Sequence, residues 1–299
     1  MTEKQQGSPL ADIDYRPATL ADVPEMVELH RTSVTNLLAR NNVAFAPPPR
    51  EAMKAGYEHL CTTGIFHVAQ SANRIVAIAA ASVRDDLWYL SAFWALPEIQ
   101  QKGAGMPLLR RVFDAGAKAA AKRFFTWSSI DMTAMAAYMK LGMYPGYQIF
   151  VFEGSPQQLD RAAHGYEVAP LKKELAMELD QALRGTRREP EHELWTQHMP
   201  VAREVRHNGK PVGYYYVNRG TIGPAAWKDP AAAADVLTLA ALDAAASAPN
   251  VRLSVPGINH SAIRFAMSHG FRLTSLAHFL TTGSFGQLEQ YVPSGPLFF

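Results

Sequence analysis

The chain has a single cysteine, Cys61, in 299 residues, which excludes an internal disulfide framework. Its surroundings, "YEHLCTTG", read as a helix, where a lone thiol is a packing residue and not a nucleophile. Neither sign of charge is in excess: 29 Lys and Arg against 27 Asp and Glu leave a net +2. A balance this close to zero argues against wholesale binding to nucleic acid or a membrane surface, so neither is expected as a partner. Long hydrophobic runs are missing too. The opening "MTEKQQGSPLADIDYR" lacks the apolar centre of a secretion signal, and no run nears the roughly 20 residues of a membrane span. A cytoplasmic location is therefore expected, with the first residues loose. Several motifs are absent as well. His198 lies six residues after His192 in "HELWTQH", whereas a helical zinc pair needs the second His four residues on; no metal is expected. No Gly-x-Ser-x-Gly elbow occurs, no glycine loop ends in Gly-Lys-Ser/Thr, and no three-glycine dinucleotide fingerprint is present.

What is there is enough apolar residue, 48%, to bury two ordinary cores, in a length comfortable for two domains. From Asp12 to Asn42 the pattern reads as a short strand, a turn and a long helix, with Asp22 before Val23-Pro24 as the start signal. A second helix is expected over Arg50–Cys61. Strands follow in "IFHVAQ", "RIVAIAAASV" and "DDLWYLSAFWAL". A glycine-bearing loop leads into a helix from about Met106 to Ala121, then "KRFFTWSS" as a strand, "DMTAMAAYMKLG" as a helix and "YQIFVFEG" as a strand.

From Ser155 to Pro200 the texture is polar and charged, read as a connector that includes one amphipathic helix, "KKELAMELDQALRG". Asn208-Gly209 then supplies a hairpin turn, and Asp229-Pro230 opens an Ala-rich helix. A strand "VRLSVPG", a helix "NHSAIRFAMSHG", a strand "FRLTSLAHFLTTG" and an apolar tail "YVPSGPLFF" complete the chain. The two halves look alike: Asp131, Ala134, Tyr138 and Gly142 fall at the same offsets as Asn259, Ala262, Ala266 and Gly270. A tandem duplication is the simplest explanation, with residues 1–154 and 155–299 as its two α/β domains.

The stretch "LPEIQQKGAGMPLLRRV" carries the chemistry. Glycines at Gly103 and Gly105 free the backbone and let a ligand approach without a Cβ in the way. The helix they open offers unpaired N–H groups and the positive end of its dipole, which together make an anion site of the kind that holds phosphate. Pro107 costs nothing in a first turn, and Lys102, Arg110 and Arg111 add positive charge. A helix entry needing only a tight turn explains two glycines equally well.

The element order resembles that of the GCN5-related N-acetyltransferase (GNAT) family. That family's loop has the form Gln/Arg-x-x-Gly-x-Gly/Ala, filled here by Gln100, Gly103 and Gly105, and "WALPE" before it resembles the end of the family's fourth strand. A following Asn-x-x-Ala-x-x-x-Tyr-x-x-x-Gly-Phe pattern is matched by Asp131, Ala134, Tyr138 and Gly142, with Asp in the Asn place and Met143 in the Phe place. The second half resembles the family's divergent C-terminal repeats. The resemblance implies a mixed, mostly antiparallel twisted sheet flanked by helices in each of two tandem domains.

It also implies acetyl-CoA as co-substrate, its pyrophosphate on the loop N–H groups from Gln101 through Lys102, Gly103, Ala104 and Gly105 to Met106. The pantetheine arm would pair with the strand end at Trp94, Ala95 and Leu96, and a backbone N–H there would polarise the thioester carbonyl. Tyr138 would protonate the leaving thiolate. The second half lacks the glycines, and Ala266 stands where the tyrosine would, so it is not expected to catalyse.

An amine acceptor, a small molecule or a peptide, must lose a proton. Glu28, His30, Asp85, Asp86 and Glu98 are the candidate bases, and the family fixes none of them. The implied assembly is a monomer that is a pseudo-dimer of domains, or a homodimer. Against the N-acetyltransferase stand two alternatives: a non-catalytic acyl-CoA-binding sensor or interaction protein, and a transferase with a different acyl donor.

Overall fold

A computed structural model describes residues 13–43, 47–159 and 165–299; most of the opening segment expected to be loose lies outside them. The first half runs β1 (Asp14–Pro17), α1 (Val23–Arg40), α2 (Arg50–Thr63), β2 (Ile65–Ser71), β3 (Arg74–Arg84), β4 (Leu87–Ala95), α3 (Gly105–Lys118), β5 (Arg123–Ser128), α4 (Met132–Met139) and β6 (Tyr144–Gly154). The second runs β7 (Tyr166–Pro170), α5 (Lys173–Leu183), α6 (Glu189–His198), β8 (Val201–His207), β9 (Lys210–Asn218), β10 (Thr221–Trp227), α7 (Ala233–Ser247), β11 (Val251–Pro256), α8 (His260–Ser268) and β12 (Arg272–Thr281), with a short β13 (Tyr291–Val292) after it. Up to β12 the second run repeats the first element for element.

Local chemistry accounts for the elements that matter to the site. Helix α1 buries Val23, Met26, Val27, Leu29, Ser33, Val34 and Leu37, a stripe at helical spacing. Pro24 sits in its first turn, where the missing N–H has no intrahelical partner to lose. Helix α3 buries Leu108, Leu109, Val112 and Gly116. Gly116 is required by packing, since a Cβ there would lie 2.2 Å from Trp88 Cδ1. Strand β3 is buried from Ile75 to Ala81, the continuous apolar pattern of a strand covered on both faces.

The chain forms two compact units, and neither is a contiguous half. Among the described residues, one comprises those within 1–83, 88–122 and 131–141; the other comprises those within 84–87, 123–130 and 142–299. In the first, the strands run in the order β1-β2-β3-β4, with β2 antiparallel to both β1 and β3. In the second the order is β5-β12-β6-β11-β10-β9-β8-β7. Here β12 lies antiparallel between β5 and β6, and β6 lies antiparallel between β12 and β11. The last strands of the two copies are thus interleaved, which is why β5 and β6 belong to the second unit although they come early in the chain.

Three elements depart from the sequence reading. The charged stretch read as connector holds β7 and α6. Pro190 stands in the first turn of α6, where it starts a helix, and Glu191, His192 and Trp195 form its buried face. Strand β10 was hidden by Gly223 and Pro224 inside it. The apolar stretch Pro230–Ser247 has the length and mean hydropathy, 1.2, of a membrane span, contrary to the expectation that no run comes near one. In the fold its helix α7 buries Val236, Leu237, Ala240, Ala241 and Ala244 in the core that also holds Tyr215, Trp227 and Leu253.

Candidate functional site

The glycine loop, the end of β4, α1, α2 and α4 all belong to the first compact unit. Helix α3 begins at Gly105 with Ala104 as its N-cap residue, and no side chain among the described residues caps it. Its first-turn N–H groups therefore have no intrahelical acceptor. The two glycines are needed for different reasons. Gly103 takes φ +90°, a left-handed conformation that favours glycine, and none of the described residues lies within 4 Å of where its Cβ would stand. Gly105 has an ordinary φ, but a Cβ on it would come 3.0 Å from Phe93 Cζ. Gln101 is also left-handed, at φ +64°, and it is exposed with Lys102 and Gly103, while Met106 is half-buried.

Two contacts fasten this loop. The Tyr15 hydroxyl donates to the Ala104 carbonyl at 3.1 Å, and Arg111 lies over the Tyr15 ring, 4.8 Å from its centroid. Burial raises the Tyr15 pKa against the opposing pull of Arg111, so the phenol keeps its proton for that bond. Gln100 Nε2 donates to the Ala95 carbonyl at 3.0 Å, tying the loop back to β4. Nothing in the sequence pointed to Tyr15. Gln100 was visible as a motif residue, but its work is inside the chain.

At the end of β4 the groups expected to face a cofactor are partly occupied. The Leu96 N–H donates to the Val76 carbonyl at 3.0 Å. The Ala95 carbonyl accepts from Ser33 Oγ at 2.9 Å as well as from Gln100. The Trp94 indole is covered by the His30 ring, stacked at 4.6 Å with planes 23° apart. Behind it, His30 Nδ1 is 2.6 Å from the Tyr57 hydroxyl. Burial, with Arg31 adding to it, pushes the His30 pKa down to about 4, and burial raises that of Tyr57.

Tyr138 lies on the buried face of α4, its ring 6.1 Å from that of Phe93. Phe93 is thus the shared neighbour of Gly105 and Tyr138. Burial, then the nearby Asp131 carboxylate, raise the Tyr138 pKa. Asp131 itself is the N-cap of α4, accepting from the Thr133 and Ala134 N–H groups at 2.8 and 3.2 Å. That is the job an Asn does as an N-cap, so the departure from the motif changes nothing in the backbone.

The other candidate bases do not join this cluster. Glu28 is paired with Arg50 in an exposed ion pair, and Glu98 with Arg74 at 3.3 Å, also exposed. Asp85 accepts the Arg187 N–H at 3.0 Å, and Asp86 pairs with Arg123 at 2.5 Å, all four in the second unit.

Comparison with known proteins bears on the fold. Residues 31–143 match the model of the Acetyltransferase (GNAT) family. A protein of Pyrococcus horikoshii classed with the acetyltransferases superposes over 100% of both chains with a TM-score of 0.78 at 18% identity. A GCN5-related N-acetyltransferase from Sphaerobacter thermophilus gives 0.65 at 14% identity, over 90% of this chain and 95% of that one. A tandem GNAT protein from the clavulanic acid biosynthesis pathway gives 0.63 at 15% identity, over 91% and 99%. At these identities the likeness is one of fold. A sequence search of curated proteins finds no match. The fold is a mixed α/β scaffold that matches these GNAT-fold neighbours. The match to the GNAT family model is confined to residues 31–143.

Proposed function

We propose that the chain is an acetyl-CoA-dependent N-acetyltransferase acting on an amine, in the cytoplasm. Its first copy, residues 1–154, is active, and residues 155–299 form a second copy without turnover. The observation that carries this is the uncapped start of α3, with Gly103 open beside it and Tyr138 one aromatic ring away. A cradle open at Gly103 and edged by Lys102 fits a phosphate group.

Acetyl-CoA supplies the acetyl group as a thioester. For it, the N–H groups of Gly103, Ala104, Gly105 and Met106 hold the phosphate oxygens, and Lys102 adds its charge. Trp94 and Ala95 border the acyl end. The phenol of Tyr138, kept neutral by burial, lends a hydrogen bond to sulfur as negative charge grows there; its proton passes to the leaving thiolate and is replaced, through water, by the one the acceptor gives up. His30, neutral at physiological pH, is too weak a base to serve an ammonium acceptor directly, so that proton leaves to water or the acceptor binds as free amine.

Calorimetric titration with acetyl-CoA tests the reading. One site is expected, lost in Gly103→Glu, which brings a negative charge into open space. Gly103 is the better position for this test than Gly105, where any side chain meets Phe93. Tyr138→Phe should lower turnover about 10- to 100-fold with cofactor affinity nearly unchanged. Tight binding with no thiol release across a panel of amines would leave the acyl-CoA sensor as the better reading, and preference for propionyl- or longer acyl-CoA would replace the donor.

A further inference from the structure

Helix α1 presents two residues three apart, His30 and Ser33, to the end of β4. Residues so spaced share a helix face. Ser33 Oγ is fastened to the Ala95 carbonyl at 2.9 Å, which fixes the helix against the strand, and one turn earlier the His30 ring lies flat on Trp94. The imidazole cannot rotate freely there, and one of its nitrogens is already committed to Tyr57.

The direction of that hydrogen bond follows from burial. Tyr57 is 0% exposed, and among the described residues its hydroxyl has His30 Nδ1 as its partner. If Nδ1–H donated to the phenol oxygen, the phenolic hydrogen would be buried without an acceptor, at a cost of about 1–3 kcal/mol. Tyr57 therefore donates and Nδ1 accepts. A neutral imidazole accepting at Nδ1 carries its hydrogen on Nε2. The depressed pKa of His30 removes the imidazolium as an alternative.

We propose that His30 is a fixed hydrogen-bond donor, through Nε2–H, to the acyl oxygen in the transfer site, and that Tyr57 and Ser33 are the positioning residues that hold its tautomer and place. This rests on the acetyltransferase reading above. The Leu96 N–H at this strand end is occupied by the Val76 carbonyl and does not serve as that donor. No proton changes hands at His30: the ring stays neutral while charge grows on the oxygen, as neutral imidazole does when it polarises a carbonyl.

The first arm of the test needs no acceptor. Long-range ¹H–¹⁵N correlation at pH 7, with His30 assigned among the 10 histidines by its loss in His30→Gln, is expected to show a neutral Nε2–H tautomer. An Nδ1–H tautomer or an imidazolium would overturn the proposal. The second arm compares thiol release from acetyl-CoA, with and without amines, in two variants. Gln places an amide where Nε2 stood and keeps a donor; Asn matches Nδ1 and loses it. Expected are near-wild-type kcat for His30→Gln, within a few-fold, and a fall of about 100-fold for His30→Asn, with calorimetric affinity for acetyl-CoA unchanged in both. Equal loss in both variants would make His30 a base, and full activity in both would make it packing; either result overturns the proposal. If His30→Asn does not fold, Tyr57→Phe under the same NMR measurement substitutes: a tautomer that shifts supports the lock, and one that does not refutes it. A wild-type protein that fails to bind acetyl-CoA would sink the acetyltransferase reading itself, whereas a binding protein with the wrong tautomer sinks only this one.

Discussion

Strands β4 and β10 hold the same place in the two copies, and each carries a tryptophan at its C-terminal end, Trp94 and Trp227. The segments after these two strands differ in each respect that bears on chemistry. After β4 the backbone passes through left-handed Gln101 and Gly103 to a helix that no described side chain caps. After β10 comes Asp229, whose Oδ1 accepts the Ala231 N–H at 2.9 Å. That carboxylate caps the 3-10 turn Pro230–Ala232 leading into α7, which itself no described side chain caps. Beside β4 the Ala95 carbonyl is held by Ser33 and Gln100, residues of the same site. Beside β10 the chain has laid a further strand: β13 pairs with Ala225 and Ala226, and Gln290 Nε2 donates to the Trp227 and Lys228 carbonyls at 3.0 Å each. Gly223 makes room for it, since a Cβ there would lie 2.3 Å from the Pro293 carbonyl oxygen. Ala266, fully buried, stands in the place of Tyr138. One fold is kept by two routes, and in the second copy β13, Gln290 and Asp229 occupy the region at and after the end of β10.

The contrast extends one layer back. The eighth residue of α1 is His30 and the eighth of α5 is Asp180. His30 is a neutral ring at the edge of the first site. Asp180 is the hub of a buried network, accepting from Arg188 Nε at 2.6 Å, His192 Nε2 at 3.1 Å and the Tyr214 hydroxyl at 2.5 Å. Replacing it is the largest perturbation we predict. Asp180→Asn leaves the Arg188 guanidinium buried without its counter-charge, at a cost of about 3–5 kcal/mol, read as a fall in the denaturation midpoint. Burial alone would raise the Asp180 pKa, but Arg188 and His192 outweigh it and hold the carboxyl well below the usual range. A group depressed in the folded state contributes stability above its unfolded pKa of about 3.9, and that contribution is lost as pH falls below it. Wild-type stability should drop between pH 5 and pH 3, and the Asn variant should lack that part of the drop. An equal acid response in both proteins would break the comparison.

Next in size is Tyr291→Ala in β13. The side chain is 0% exposed, and truncating a buried aromatic costs about 3 kcal/mol or more. Melting temperature should fall while acetyl-CoA affinity stays as it was. A second acetyl-CoA site appearing in this variant would mean that the added strand hides a competent site and does not merely complete a sheet.

The glycines give smaller and opposed effects. Gly103→Ala meets no neighbour and carries only the cost of a left-handed alanine, about 1 kcal/mol, which calorimetry should register as a few-fold weaker affinity. Gly105→Ala pushes on Phe93 and through it on Tyr138, so kcat should fall more than affinity. The reverse pattern would show that Gly105, and not Gly103, is the open side of the cradle.

Much of this was legible in the sequence. The repeat was visible because α4 and α8 share the spacing of Asp131, Ala134, Tyr138 and Gly142 with its later echo, and helix period survives divergence. The loop stood out because two glycines precede an apolar helix pattern, a spacing that a tight turn alone explains equally well. Pairing across distance was not legible. Nothing near Tyr57 marks it as the partner of His30, and nothing in "QLEQYVPSG" says that it will lie beside β10. Helix α6 was missed because its buried face is polar, with Glu191 closed by Arg84 at 2.5 Å and His192 by Asp180; a hydrophobic pattern cannot report a face whose partners are charges.

The smallest expected effect sharpens the comparison most. Asp229→Ala removes the cap of the 3-10 turn that leads into α7, worth about 1 kcal/mol, and takes away the carboxylate there. If that carboxylate alone keeps an anion from this position, phosphate at millimolar concentration should restore part of the lost stability, and acetyl-CoA should bind a second time. We expect the stability loss without the second site. A backbone at Lys228–Pro230 that has no glycine keeps its Cβ atoms in the way of a pyrophosphate, and β13 still covers the strand beside it. Two copies of a fold would then differ in ligand binding through the backbone freedom of Gly103 and the added strand at Tyr291–Val292, with the charge at Asp229 a consequence of closing the site and not its cause.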